Sequence, residues 1–121
     1  MKSLKALIAG LFLVGCTSGS ANYETIDAKE AKEMMETQEV VILDVREESE
    51  YQEGHIQDSI LIPLSTIKEG NTKLPDKDQT ILVYCRSGNR SAKAAKTLVN
   101  LGYTHVYDFG GIIDWPYDIV K

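Results

Sequence analysis

The chain has 121 residues, of which 43% are hydrophobic and 26% are charged, a composition typical of one soluble globular domain. Its formal charge is −5 at pH 7 and it has no run of lysines or arginines, so we expect no nucleic-acid partner. Cysteine occurs only twice, at Cys16 and Cys85, which restricts the disulfide and metal chemistry that the chain can support.

The N-terminus has the pattern of a secretory signal. Lys2 and Lys5 precede residues 6–14, ALIAGLFLV, which contain no polar side chain. A basic segment followed by a short apolar one is typical of a signal peptide, and these nine residues are too few to span a bilayer as a helix. A buried helix of the folded domain is the alternative interpretation.

Residues 13–16, LVGC, resemble the lipobox of bacterial lipoproteins. The resemblance implies that residues 1–15 are a signal peptide that is removed and that Cys16 carries lipid. The protein would then be an extracytoplasmic lipoprotein anchored to a membrane, in the periplasm or on the outer face of the cell membrane. Residues 16–22 would be the lipidated cysteine and a flexible tether, since they are small and polar, and residues 23–121 the folded domain. Ordinary signal cleavage with release is the alternative.

The first half of the domain alternates between helix-like and strand-like segments. Apolar residues recur at helical spacing over residues 25–38, where Thr25 or Asp27 can act as the N-cap. Residues 40–45, VVILDV, form a nearly unbroken apolar run rather than an alternating one. This run predicts a strand buried on both faces, and therefore a parallel sheet covered by helices. The polar segment that follows predicts a short helix ending near Gly54.

The second half continues the alternation. Residues 59–64 are another apolar run, and residues 65–70 predict a short helix with Ser65 as its cap. The remaining predicted elements are a buried strand over residues 80–85, a helix over residues 91–102 that Gly102 caps, and a last strand over residues 105–111. Strands that alternate with helices predict an α/β fold.

Cys85 lies where a predicted strand meets a predicted helix, in residues 84–91, YCRSGNRS. The backbone N–H groups of such a loop and of the first helical turn have no intrahelical partners and can converge on an anion. Gly88 permits a positive φ, and Arg86 and Arg90 add two positive charges. This environment favours the thiolate and predicts a reactive nucleophile. An inert buried cysteine beside solvated arginines is the alternative.

The length of the loop separates two classes of chemistry. Cysteine phosphatases place five residues between the cysteine and the arginine, and they usually have a histidine before the cysteine. Here four residues separate Cys85 from Arg90, and Tyr84 takes the place of the histidine. A shorter loop makes a smaller cradle, which suits a sulfur atom bound to the thiol better than a phosphate group. A phosphatase or arsenate-reductase-like enzyme on the same fold stays an alternative.

Three ordered motifs resemble the single-domain rhodaneses, which are sulfurtransferases. Residues 85–91, CRSGNRS, resemble the active loop of that family. Residues 43–64, LDVREESEYQEGHIQDSILIPL, resemble its upstream motif, and residues 110–116, GGIIDWP, its C-terminal motif. The resemblance covers about residues 23–121 and implies a rhodanese-like α/β fold, with a central parallel sheet of about five strands covered by helices on both faces. Ser59 departs from the alanine that the family usually has there.

The resemblance also implies a mechanism. The Cys85 thiolate would attack the outer sulfur of a small anionic donor such as thiosulfate, and the resulting persulfide would pass its sulfur to a thiol or cyanide acceptor. The substrate-binding residues would be those of the loop: Arg86, Ser87, Gly88, Asn89 and Arg90. No cofactor is implied, and we expect a monomer. A persulfide carrier for a partner protein and a non-catalytic binding module are the other hypotheses.

If Cys16 carries lipid, Cys85 is the only free thiol, so an intramolecular disulfide is impossible. This favours use of Cys85 as a nucleophile.

The other polar and aromatic candidates receive mainly structural interpretations. Asp44 and Arg46 flank a predicted strand end and either brace the active loop or form a structural ion pair, which we favour. His55 is interpreted as structural, because a thiolate ionised by its loop needs no base. His105 is expected on or beside an edge strand without a partner, and neither histidine has a metal-like spacing with a cysteine, so we expect no metal. Trp115 is expected to anchor the core or to form a lip of the site.

Overall fold

The computed structural model describes residues 22–68 and 71–121. The predicted signal peptide, Cys16 and nearly all of the predicted tether lie outside the described residues, so their interpretation stays a prediction. Within the described part of the chain, no helix is both long enough and apolar enough to cross a membrane.

Five parallel strands form one sheet: β1 (Glu24–Thr25), β2 (Val41–Asp44), β3 (Ile60–Leu61), β4 (Thr80–Cys85) and β5 (His105–Gly111). Their order across the sheet is β1-β5-β4-β2-β3, so β4 is central and Cys85 is its last residue. The predicted α/β fold with a parallel sheet of about five strands is therefore confirmed. The apolar run at residues 59–64 contributes only two residues, Ile60 and Leu61, to the sheet.

Within residues 22–68 and 71–121, three α-helices accompany the sheet: α1 (Ala28–Thr37), α2 (Glu48–Glu53) and α3 (Asn89–Asn100). The N-cap of α1 is Asp27 rather than Thr25, because the Asp27 Oδ1 accepts the backbone N–H of Glu30 at 2.8 Å. Gly54 follows the end of α2, as predicted.

The helix predicted over residues 65–70 is wrong. The described part of this segment contains only the 3₁₀ turn Leu64–Thr66, which Pro63 precedes. The backbone N–H and the hydroxyl of Thr66 both donate to the Pro63 carbonyl, each at 2.8 Å, so the chain turns there once and stops. Ser65 lies inside this turn and makes no capping hydrogen bond.

Helices cover both faces of the sheet, as predicted. One face packs against α3, with Leu43 and Val83 among the buried residues that meet Leu98 there. The opposite face packs against α1, with Ile42 and Leu82 in contact with the other cluster of buried side chains. Because neighbouring residues of β2 point to opposite faces and both faces are buried, every position along this strand is apolar until Asp44.

Trp115 anchors the core beside α1, which confirms one of its two predicted roles. Its ring is 9% exposed and packs against Phe109 and Tyr117, with ring centroids 5.3 and 5.0 Å away. The Trp115 side chain thus fixes the segment that follows β5 against the sheet.

His105 begins β5, which lies beside the edge strand β1, as expected. The expectation that His105 has no partner is wrong. Its Nδ1 lies 3.1 Å from the Asp78 carbonyl oxygen and 3.0 Å from the Thr104 hydroxyl. His105 therefore belongs to the turn at the start of β5 and has a structural role.

Candidate active site

The candidate site lies at the edge of the sheet where the parallel strands end. β4 ends at Cys85, a three-residue loop follows, and α3 begins at Asn89, two residues earlier than predicted. The Cys85 side chain is 1% exposed. Its Sγ accepts the backbone N–H of Gly88 at 3.0 Å and that of Ser91 at 3.2 Å. We call the backbone of residues 85–91 the anion cradle, since its N–H groups converge on this sulfur.

Gly88 gives the anion cradle its turn. Its φ is +103°, a left-handed conformation that a residue with a side chain opposes. The positive φ that the sequence predicted here lets the backbone turn from the loop into α3. Space is not the constraint, because a Cβ on Gly88 would meet its nearest neighbour, the Gly110 Cα, at an ordinary 3.7 Å.

Gly111 is constrained by space instead. Between β4 and β5 the register shifts: Val83 pairs with Asp108, but Cys85 pairs with Gly111, so β5 holds one extra residue. The shift presses Gly111 against the loop, where an added Cβ would overlap the Arg86 carbonyl and lie 2.6 Å from the Ser87 Cα. The tight contact between β5 and the anion cradle therefore requires a glycine.

Ser91 belongs to the site although it was not among the predicted site residues. Its N–H contacts Sγ, and its buried hydroxyl donates to the Gly88 carbonyl at 3.1 Å and lies 3.5 Å from the Gly110 carbonyl. The hydroxyl thus ties the loop to α3 and to β5. This role was not predicted because the helix was expected to begin only at residue 91. With α3 starting at Asn89, the Ser91 N–H lies in the first turn and is free to reach the sulfur.

The two loop arginines have different surroundings. Arg90 forms a two-pronged ion pair with Glu50 of α2, with N–O distances of 2.8 and 3.0 Å, and both side chains are about two-thirds or more buried. The hydrogen bond from Arg90 lowers the pKa of Glu50 to about 2, against the opposing effect of burial. The same hydrogen bond raises the pKa of Arg90. Arg86, together with Ser87 and Asn89, is exposed, so Arg86 is the loop cation that faces solvent.

Asp44 and Arg46 form a buried ion pair at the end of β2. The Arg46 Nη2 lies 2.7 Å from the Asp44 Oδ2 and also donates to the Gly54 carbonyl at 2.7 Å. Burial opposes the charge of Arg46, yet the hydrogen bond and the negative charge of Asp44 leave its pKa raised. These contacts link β2 to the end of α2. They favour the structural interpretation, because the side chains bond to each other and to Gly54 rather than to the anion cradle.

Tyr84 precedes Cys85 but points to the opposite face of the sheet, among the residues that pack against α1. Its hydroxyl accepts the backbone N–H of Ile56 at 3.0 Å and lies 3.4 Å from the Ser59 hydroxyl. Burial, with the nearby Asp44 carboxylate, raises the pKa of Tyr84 above its usual range. Tyr84 is therefore a neutral core residue, and the Ser59 hydroxyl is a polar neighbour of the Tyr84 hydroxyl.

His55 is held by structural contacts. Its ring stacks on Tyr51, with centroids 3.7 Å apart, and its Nδ1 lies 2.8 Å from the Tyr51 carbonyl oxygen. Its backbone pairs with Val120 near the C-terminus. Within residues 22–68 and 71–121, no group of three or more histidine, cysteine, aspartate or glutamate side chains is arranged to hold a metal ion.

Two clefts bear on the location of the chemistry. A cleft of about 460 Å³, here the loop-side cleft, runs between the start of α1 and the end of β5 and includes Ser87 of the active loop. A larger cleft of about 720 Å³ beside Trp115 and the end of α1 contains no residue of that loop. Of these two clefts, only the smaller one includes a residue of the active loop, so it is the candidate site for a substrate of Cys85.

The fold and the site together define a class of protein. A buried cysteine ends the central strand of a parallel α/β sheet, its sulfur accepts backbone N–H groups, and the following helix begins beside it. Ligands of such sheets bind outside the carboxyl ends of the strands, which is where Cys85 lies. In this arrangement the surrounding N–H groups can stabilise negative charge on the cysteine sulfur.

Comparison with known proteins identifies the family. The family model described as the rhodanese-like domain matches residues 27–116. The chain therefore belongs to the rhodanese family, as an enzyme similar to the thiosulfate sulfurtransferases.

Similar proteins agree with this membership. The thiosulfate sulfurtransferase PspE of Escherichia coli is 45% identical over 80 residues, which cover 65% of this chain and 77% of PspE. The thiosulfate sulfurtransferase GlpE of Coxiella burnetii is 35% identical over 94 residues, covering 77% of this chain and 87% of GlpE.

Among solved structures, a rhodanese with anions from E. coli superimposes with a TM-score of 0.64 at 42% identity, covering 69% of this chain and 99% of that one. A rhodanese-related protein from Thermoplasma volcanium gives a TM-score of 0.70 at 38% identity, with 81% and 98% covered.

Proposed function

We propose that this rhodanese transfers a sulfane sulfur through a persulfide on Cys85. The Cys85 thiolate attacks the outer sulfur of a donor such as thiosulfate; a new Sγ–S bond forms, the donor's S–S bond breaks, and sulfite leaves with its electron pair. An acceptor thiolate or cyanide then attacks the outer sulfur, and Cys85 departs as a thiolate. The two steps balance without an external oxidant or reductant.

The observation that carries this proposal is the hydrogen bonding of Sγ. Two backbone N–H groups, from Gly88 and Ser91, converge on one sulfur atom that is almost fully buried. Such donors stabilise negative charge on sulfur, and those of a short loop leave room for one further sulfur atom rather than for a phosphate group. The relatives named thiosulfate sulfurtransferases support the same donor class.

Arg86 is proposed to attract the anionic donor. The chain carries a formal charge of −5, which repels an anion at long range. Arg90 is paired with Glu50, whereas the exposed Arg86 presents its charge beside the mouth of the anion cradle. In this proposal Ser87, Gly88 and Asn89 supply the loop backbone around the outer sulfur.

The intact mass of the protein tests the mechanism directly. Incubation with thiosulfate should add one sulfur atom to the wild type, and cyanide should remove it, whereas Cys85→Ser should show neither change. A wild-type protein that never gains sulfur from any sulfane donor would refute the proposal. Hydrolysis of a phosphate ester without sulfur transfer would favour the phosphatase alternative. Loading without turnover on cyanide or small thiols would favour a carrier for a partner protein.

We also propose that the enzyme is an extracytoplasmic lipoprotein anchored through Cys16. The basic residues Lys2 and Lys5, the apolar segment after them and the LVGC sequence support this proposal. Two or more acyl chains hold a protein stably on a membrane, whereas one chain binds marginally. Cys16→Ser should therefore release the protein from membranes and leave sulfur loading of Cys85 unchanged. Membrane association that persists in Cys16→Ser would contradict the anchor.

A further inference from the structure

The loop-side cleft includes part of the active loop, because Ser87 lies on its wall. Its volume of about 460 Å³ lies in the range of small-molecule sites, which is roughly 300–1,000 Å³. Phe109 and Pro116 give it an apolar lining, and Gly110 and Gly111 leave the β5 side of the cleft without side chains. A molecule held here would lie against the loop that carries the persulfide.

The charges of the loop-side cleft come from different segments and have opposite signs. Lys29 lies in the first turn of α1, and Asp114 lies in the 3₁₀ turn that follows β5. Both side chains are exposed, and neither makes an ion pair or a side-chain hydrogen bond with another residue in the described ranges 22–68 and 71–121. Asp27 also lines the cleft, and its Oδ1 accepts the capping hydrogen bond of α1.

The turn that carries Asp114 is fixed to the active loop. The Ile113 N–H donates to the Arg86 carbonyl at 3.2 Å, and Gly111 packs directly against the same peptide. The backbone that carries the Asp114 side chain is therefore held close to the active loop. A ligand that binds Asp114 would lie near the loop that carries Cys85.

From these contacts we propose that the loop-side cleft binds the sulfur acceptor, and that this acceptor is a small thiol carrying both an ammonium and a carboxylate group, as free cysteine does. Lys29 binds the carboxylate and Asp114 binds the ammonium, while the apolar lining takes the carbon skeleton. The acceptor thiolate attacks the outer sulfur of the Cys85 persulfide; one S–S bond forms as the other breaks, and the Cys85 thiolate is regenerated. This inference rests on the persulfide mechanism proposed above.

A matched series of four thiols tests the inference. Cysteine carries both charged groups, cysteamine only the ammonium, 3-mercaptopropionate only the carboxylate, and 2-mercaptoethanol neither. Protein loaded with thiosulfate is mixed with each thiol, and KM is expressed per thiolate concentration, since the four thiols ionise differently. The KM should be lowest for cysteine and highest for 2-mercaptoethanol.

Two variants assign the charges. Lys29→Gln should raise KM about two- to fivefold for the two thiols with a carboxylate, the size of one exposed ion pair, and should not change it for cysteamine. Asp114→Asn should raise KM about two- to fivefold for the two thiols with an ammonium and should not change it for 3-mercaptopropionate. Lys93→Gln and Glu33→Gln remove exposed charges outside the cleft and should leave all four values unchanged.

Transfer to cyanide separates failure of this inference from failure of the proposed function. A protein that forms no persulfide refutes the function itself. A protein that loads sulfur and returns it to cyanide, but shows the same ratios of KM among the four thiols in wild type, Lys29→Gln and Asp114→Asn, overturns the acceptor site alone. Equal sensitivity of all four thiols to one variant also overturns the acceptor site, because the substituted charge would then not distinguish acceptors by their charged groups.

Discussion

Two glycines in and beside the active loop meet different physical demands. Gly88 supplies a positive φ, while Gly111 of β5 supplies the absence of a side chain. A side chain at Gly111 would overlap the peptide between Arg86 and Ser87. Residues that tolerate few substitutions thus lie near Cys85 both in β5 and within the anion cradle.

Gly111→Ala should therefore disturb the loop. The added methyl group must push the Arg86–Ser87 peptide away, and overpacking of this kind costs about 1–3 kcal/mol. We expect that loss in the free energy of unfolding by urea, together with slower addition of sulfur from thiosulfate, measured by intact mass. The rate should fall because the N–H groups on Sγ move with the peptide.

Gly102→Ala is the matched control. Gly102 has a φ of +102° at the end of α3, where a Cβ would meet only the flexible side chain of Lys77 at 3.6 Å. The substitution should cost about 1–2 kcal/mol through backbone strain alone and leave sulfur loading unchanged. Gly111→Ala protein that loads sulfur at the wild-type rate would show that the loop tolerates displacement.

At the scale of elements, the Asp44–Arg46 pair joins the end of β2 to the end of α2. The pair is buried, with Asp44 fully so, and Arg46 also bonds the Gly54 carbonyl. A buried ion pair that loses one partner leaves an uncompensated charge, which costs far more than the pair itself contributes.

Asp44→Asn should therefore lower the free energy of unfolding by about 3–5 kcal/mol, measured by urea denaturation. Asp44→Leu combined with Arg46→Met should recover much of that loss, since no charge stays buried. Protein that is still folded under native conditions should load sulfur normally, because the pair bonds to itself and to Gly54 rather than to the anion cradle. Near-normal stability with lost loading would instead show that the pair braces the active loop.

Elements with long, uniform patterns could be predicted from the sequence, and short ones could not. The unbroken runs in β2 and β4 indicated a parallel sheet, because only burial on both faces explains them. The helix predicted over residues 65–70 failed: its described part forms one 3₁₀ turn, and periodicity in so short a segment does not distinguish a single turn from a helix. The start of α3 was misplaced by two residues, as helix ends are set by capping and packing rather than by periodicity.

The residues of the site also divide into those that could be predicted from the sequence and those that could not. Cys85, Gly88 and the loop arginines were predictable because their order along the chain is itself the signal. Glu50 was not, since it lies 40 residues before Arg90 and meets it only when α2 and α3 are folded. Ser91 was missed because its contact with Sγ depends on where α3 begins.

At the scale of the whole molecule, the Glu50–Arg90 pair should make part of the stability depend on pH. The pKa of Glu50 is lowered from 4.5 to about 2 in the folded protein, chiefly by its hydrogen bond with Arg90. A carboxylate whose pKa falls on folding stabilises the folded state above its unfolded pKa. That contribution is lost as pH falls from about 4.5 to about 2.

Urea unfolding at a series of pH values measures this contribution. Near pH 6, Glu50→Gln should be less stable than the wild type by up to about 1 kcal/mol, since the pair is partly exposed and screened by solvent. The difference should shrink as pH approaches 2, because the wild-type carboxyl also becomes neutral. Glu53→Gln, an exposed neighbour in α2, should show no such convergence. A Glu50→Gln difference that stays constant from pH 6 to 2 would mean that lost packing, rather than the ion pair, links α2 to the active loop.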